Sequence, residues 1–110
     1  MRVLILDDSE ERQAQFARQW EGHEVVAAVS ALEATRALEG ERFDVVTLDY
    51  DLGDFSPCGS MVAYYIAHDL PVEKRPGRII IHSGNPYGAR DIAARLRDVG
   101  IESELQPFRL

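Results

Sequence analysis

Val3-Leu4-Ile5-Leu6-Asp7-Asp8, Phe43-Asp44-Val45-Val46-Thr47-Leu48-Asp49 and Ile79-Ile80-Ile81-His82-Ser83-Gly84 share one form: a short apolar run that ends on polar residues. Apolar runs of this length read as strands buried on both faces. Val3 to Leu6 is the first strand, Phe43 to Leu48 the third and Arg78 to His82 the fourth. Helical stretches separate them. Ser9 is placed to cap a helix with Glu10 and Glu11 in its first turn, and Phe16 and Trp20 fall on one face at i,i+4 spacing. Glu24 to Val29, rich in valine, is the second strand. Ser30 and Glu33 have capping-box spacing, and the helix they open runs to Gly40. Ser60 to Asp69 reads as a helix burying Val62 and Ile66, with Tyr65 at the margin. Pro71 and Pro76 punctuate the next loop, and Ser83 to Gly88 is turn-rich. Ala89 to Val99 is a helix with Ile92, Leu96 and Val99 toward the core, ended by Gly100. Ile101 to Leu105 is a fifth, weaker strand.

The order is (βα)₄β. Strands alternating with helices imply a parallel sheet covered on both faces, and right-handed crossovers favour a doubly wound α/β fold with strand order 2-1-3-4-5. In that order the winding reverses between the first and third strands, where ligands bind. Asp7 and Asp8 follow the first strand, and Asp49 and Asp51 the third. Alone, Asp7 or Asp8 is adequately explained as a helix cap. Together, the four carboxylates repel, and a bound cation or a proton relieves them. Hard oxygen donors suit Mg²⁺ or Mn²⁺. His82 reads either as a core histidine bonded to a neighbouring backbone group or as a general acid or base beside the metal. Asn85 either contacts substrate or shapes the turn before Pro86. Cys58 and Tyr50 are assigned to loop structure.

The 110 residues suit a single domain, 1–110, and carry a net charge of −7. No basic run is present, which argues against a dedicated nucleic-acid surface and direct DNA binding. Cys58 is the only cysteine, so an intrachain disulfide is excluded. No signal peptide or membrane-length apolar stretch is read, and the expected location is the cytoplasm. Of 12 basic residues, Lys74 is the only lysine.

The three opening stretches resemble bacterial response-regulator receiver domains, which are chemotaxis-type and flavodoxin-like, over nearly the whole chain. The resemblance implies Asp7 and Asp8 as metal ligands and Asp49 as phosphoacceptor. It also implies Ser83 as the hydroxyl that meets the phosphoryl group, and a histidine kinase as partner in two-component signal transduction. The chain departs from that pattern at several places. Gln106 stands where receivers carry a lysine before a proline. Lys74 precedes the fourth strand, near the opposite end of the sheet. Arg90 is the candidate replacement for the lost charge. Asp51 adds an acid, Gly59 sits about two positions late, and the sequence ends at Leu110 with no room for a fifth helix.

Leu48-Asp49-Tyr50-Asp51-Leu52-Gly53, with His82 to Ala89, resembles more closely the divergent branch of cyclic-phosphate-processing receivers. That branch implies action on phosphate esters. The expected site then has Asp7, Asp8, Asp49 and Asp51 around the ion, Asp49, Ser83 and His82 in the chemistry, and Ser83, Gly84, Asn85 and Gln106 toward a small phosphate-containing ligand. Three readings follow: a metal-dependent phosphoesterase acting on cyclic phosphates, a receiver phosphorylated on Asp49, or a non-catalytic pseudo-receiver interaction module. The missing fifth helix further predicts a bare apolar face near the first, third and fifth strands. A homodimer or partner would cover that face, with the tail Pro107-Phe108-Arg109-Leu110 too short to do so.

Overall fold

The computed structural model describes residues 1–52 and 58–106. Expectations placed on Gly53 and on the tail from Pro107 to Leu110 lie outside the described residues. In chain order the elements are β1 (Arg2–Leu6), α1 (Glu10–Gln19), β2 (Glu24–Ala28), α2 (Ala31–Gly40), β3 (Val45–Leu48), α3 (Gly59–His68), β4 (Arg78–Ile81), α4 (Pro86–Arg97) and β5 (Glu104–Leu105). A single 3₁₀ turn, Val72–Lys74, precedes β4. All strand pairs are parallel and the sheet order is β2-β1-β3-β4-β5, the doubly wound arrangement that the sequence predicts.

Alternation along the strands divides the core in two. Leu4, Leu6, Val46, Leu48, Ile79 and Ile81 face a large cluster shared with Leu38, Val62, Ile66, Ile92 and Leu96. Val3, Ile5, Val45 and Ile80 face a smaller one, with Phe16, Trp20 and Val25 packed against it. These four strand residues are buried. The expectation of a bare face beside the first and third strands therefore does not hold there, because α1 brings Phe16 and Trp20 over it. At the sheet edge, Leu105 is half exposed.

Two boundaries differ for identifiable reasons. β5 is two residues long because it is an edge strand paired only through Ile80 and Ile81. Helix α4 starts at Pro86, three residues before its expected start. Asn85 caps it, its Oδ1 accepting from the Tyr87 and Gly88 amides at 3.1 and 3.0 Å. Pro86 occupies the first helical position, where no amide donor is needed.

Candidate functional site

Strand register builds the site. Leu6 pairs with Leu48, Leu48 with Ile81 and Ile81 with Leu105. The next residue on each strand continues the ladder: Asp49 N–H donates to Leu6 O at 3.0 Å, His82 N–H to Leu48 O at 3.0 Å and Gln106 N–H to Ile81 O at 2.9 Å. Asp7, Asp49, His82 and Gln106 thus form one rung at the carboxyl end of the sheet. By period-two alternation, Asp7 shares a face with Val3 and Ile5, Asp49 with Val45 and Thr47, and His82 with Ile80. That is the face covered by α1.

The first three members of the rung meet. Asp7, Asp49 and His82 are all buried and each offers a ligand atom within 4.8 Å of the others. His82 Nε2 lies 3.1 Å from Asp7 Oδ2, and Nδ1 is hydrogen-bonded to Thr47 Oγ1. Phe16 packs against the imidazole with ring centroids 4.4 Å apart and planes tilted by 50°. The Asp7 carboxylate can only accept, so Nε2 donates to it, while the Thr47 hydroxyl pairs with Nδ1. His82 is therefore bonded to side chains at both nitrogens, not to a backbone group.

Arg12, in the first turn of α1, reaches back over the strand ends. Its Nε donates to Asp7 Oδ2 at 2.8 Å and its Nη2 to Asp7 Oδ1 at 2.9 Å. The same Nη2 stands 3.5 Å from Asp8 Oδ1 and from Asp49 Oδ2. Gln13 locks the helix in place by donating to the carbonyls of Ile5, Asp7 and Ala28 at 3.0, 3.0 and 3.1 Å. Neither Arg12 nor Thr47 is among the site residues expected from the sequence. Two signals were available: Arg12 lies four residues after Asp8 on a helix opening at the strand end, and Thr47 alternates with Asp49.

These partners drive the two buried acids apart. Burial pushes the Asp7 carboxyl up. The hydrogen bonds from His82, Arg12 and the Ser9 amide outweigh burial and hold its pKa at about 2. Asp49 is raised to about 6 by burial and then by the neighbouring Asp7 charge, only partly offset by His82 and Arg12. Asp49 is thus a buried acid short of counter-charge. A hard divalent cation would supply that charge at Asp49, and carboxylate oxygens suit Mg²⁺ or Mn²⁺; both Asp7 oxygens already accept from Arg12, His82 and the Ser9 amide, so Asp7 would ligate only by giving up one of these donors.

The other expected site residues surround this cluster without joining it. Asp8 is exposed and touches the cluster through Arg12. Asp51 and Gly84 line a depression of about 200 Å³ with Arg12, Asp49 and His82. Ser83 is buried, and its Oγ accepts from the Asn85 amide at 3.1 Å. Asn85 spends its side-chain oxygen on the α4 cap. Gln106 is exposed at the end of β5. Arg90 is exposed and borders a neighbouring cleft of about 400 Å³ with Ser83, Gly84 and Leu105. Two glycines keep the loop tight. A Cβ at Gly59 would stand 1.9 Å from the Asp49 carbonyl oxygen, and one at Gly88 would stand 2.3 Å from the Tyr50 ring. Among the described residues no helix is long and apolar enough to cross a membrane.

A family model described as the cyclic-phosphate processing receiver domain matches residues 2–98. Among solved structures, the chain is similar to a CheY-like receiver domain from Methylobacillus flagellatus: 20% identity, TM-score 0.72, covering 99% of this chain and 88% of that one. It is also similar to a response regulator of Burkholderia pseudomallei, solved with a phosphorylated aspartic acid, a calcium ion and citrate: 24% identity, TM-score 0.74, covering 99% and 60%. A CheY-like receiver of Methanospirillum hungatei matches at 24% identity and TM-score 0.69, covering 98% and 82%. At these identities the structures speak for the fold. No curated protein matches the sequence.

Proposed function

The chain belongs to the family of cyclic-phosphate processing receiver domains, and from that premise we propose that it is a divalent-metal-dependent phosphoesterase acting on cyclic phosphates. The observation that carries this reading is the buried Asp7–Asp49–His82 cluster opening into a depression shared with Asp51 and Gly84. Asp7, Asp49, Asp8 and Asp51 are the residues that would hold the ion. Bound there, Mg²⁺ or Mn²⁺ would polarise a phosphoryl oxygen as a Lewis acid.

The chain's own groups supply the rest. Water attacks phosphorus and gives a proton to an Asp49 carboxylate oxygen. The ring P–O bond breaks, and the departing ester oxygen takes that proton, so cyclic ester plus water becomes a monoester. A carboxylate at that place can take the proton from water and pass it to the departing ester oxygen. Ser83 Oγ already accepts from the Asn85 amide, so its own proton is available to a phosphoryl oxygen. Gly84 and the exposed Gln106 amide border the ligand. Asn85 contributes by shaping the loop. His82 acts through Asp7, which it orients from Nε2.

A second reading is a receiver phosphorylated on Asp49 by a histidine kinase, favoured by the place of Asp49 at the end of β3 and by the phosphorylated aspartate of the Burkholderia relative. Phosphorus NMR with Mg²⁺ separates the two. Monoester peaks from a panel of nucleotide cyclic phosphates, lost in Asp49→Asn, are expected. Unchanged cyclic phosphates, with acetyl phosphate consumed faster than by Asp49→Asn, would favour the receiver.

A further inference from the structure

Resting on that reading, we propose that the cleft beside the depression, bounded by α4 and β5, seats the nucleobase of the ester, so that the substrate class is a nucleoside cyclic phosphate. The depression holding Asp49, Asp51 and His82 measures about 200 Å³, below the range of about 300 to 1,000 Å³ typical of organic-ligand pockets. It suits a phosphoryl group beside an ion, and the organic part of the ester must lie outside it. The adjoining cleft measures about 400 Å³, inside that range. Gly84 lines both cavities, and a Cβ built there meets nothing within 4 Å. The two are thus joined at a residue without a side chain. By contrast, the groove of about 380 Å³ lined by Leu32, Met61 and Tyr64 shares no residue with the depression.

The lining of the cleft selects among organic groups. Ile81, Pro86, Ala89 and Leu105 give it apolar walls, and Leu105, on the β5 side, is half exposed. Pro86 and Arg90 are four residues apart on α4 and share a helix face, so Arg90 lines the same wall. Among the described residues Arg90 has no hydrogen bond or ion pair, whereas Arg95 is paired with Asp91 at 3.2 Å and Arg78 with Glu104. Apolar walls with one unpaired planar cation fit an aromatic heterocycle. Its faces pack on aliphatic side chains and on the guanidinium, and its ring nitrogens and carbonyls accept from the N–H fork. A sugar would leave hydroxyls against the apolar walls without partners. An alkyl chain would use the walls and leave the Arg90 donors idle. Ser83 lines the cleft next to Gly84 and marks its end toward the phosphate.

Amide NMR spectra in saturating Mg²⁺ test the assignment, with adenosine 3′-monophosphate, glycerol 2-phosphate and hexyl phosphate as probes. The nucleotide is expected to bind at least tenfold more tightly than glycerol phosphate and to shift the Ala89, Arg90 and Leu105 amides, which glycerol phosphate leaves in place. That preference should fall at least fivefold in R90A and in L105D. Equal affinity for nucleotide and glycerol phosphate in wild type overturns the proposal, as does an undiminished preference in both variants or tighter binding of hexyl phosphate than of the nucleotide. A preference lost in either variant supports it. Should L105D not fold, the exposed Arg90 decides through R90A alone. Phosphorus NMR separates this result from the fate of the enzyme reading. Nucleotide seated in the cleft while cyclic phosphates stay intact supports the nucleobase site and removes the phosphoesterase. Hydrolysis of adenosine and glycerol cyclic phosphates with equal kcat/KM keeps the phosphoesterase and overturns the nucleobase site.

Discussion

Asp7 and Asp49 stand side by side on one rung, yet neutralising them should move stability in opposite directions. Asp49 is buried, and its pKa of about 6 lies above the ordinary 3.8. A raised folded-state pKa means that the native chain binds the proton more tightly than the unfolded one. Stability is then lost as pH rises from about 3.8 toward 6. At about 1.4 kcal/mol per pKa unit, ionised Asp49 costs about 3 kcal/mol at pH 7.5. Asp49→Asn mimics the protonated acid and should recover that amount, a rise of roughly 10 °C in melting temperature for a chain of this size. At pH 4.5 the unfolded acid is mostly ionised and the folded one is not, so the gain shrinks to about 1 kcal/mol. Asp7 reverses the sign. Its pKa of about 2 lies below 3.8, so its contribution is present above pH 3.8 and lost as pH falls toward 2. Asp7→Asn should cost about 2 kcal/mol at both pH 7.5 and pH 4.5. Differential scanning calorimetry in EDTA at the two pH values measures both. An Asp49→Asn variant no more stable than wild type at pH 7.5, or a gain independent of pH, would refute the electrostatic account.

Divalent cation should abolish the advantage of Asp49→Asn: a ligand that binds only the native state at a hundredfold excess over Kd adds about 2.7 kcal/mol, so wild type should melt higher with Mg²⁺ while the variant gains less. Identical wild-type melts with and without millimolar Mg²⁺ would argue against the metal. Gly59→Ala forces a Cβ against the Asp49 carbonyl, closer than any tolerable contact, and should cost about 3 kcal/mol by chemical denaturation while displacing Asp49. With Val3, Ile5, Val45 and Ile80 already buried under α1, light scattering at micromolar concentration should return a monomer mass. A dimer mass would reinstate the sheet face as an interface.

The fold was legible because buried parallel strands leave unbroken apolar runs, and three such runs ended on polar residues. Val3 to Leu6 and Ile79 to Ile81 needed no other signal. The errors fell where local chemistry overrides composition. Pro86 and Gly88 read as loop, yet Asn85 and Pro86 together form a helix start. The bare face was expected from counting helices, but one helix carrying Phe16 and Trp20 buries the strand residues beside β1 and β3.

The site was legible to the extent that it follows from strand ends. Asp7, Asp49 and His82 converge because parallel pairing sets Leu6, Leu48 and Ile81 level, and the next residue on each strand must then share a rung. What the sequence does not display is how charge is shared across that rung. The sequence allows His82 as a base or as a core residue, and its geometry joins the two descriptions. Thr47 holds one ring nitrogen and Asp7 the other. The His82 bond and the Arg12 fork hold Asp7 as an anion, and the Asp7 charge in turn helps keep a proton on Asp49. The difference between two aspartates following near-identical strands is therefore made by residues 5 and 40 positions away from Asp7 along the chain: Arg12, whose long side chain leaves no periodic trace, and Thr47, a polar residue inside an apolar strand. Two neighbouring acids driven apart in this way are the pattern by which a site divides acid and base roles between like groups.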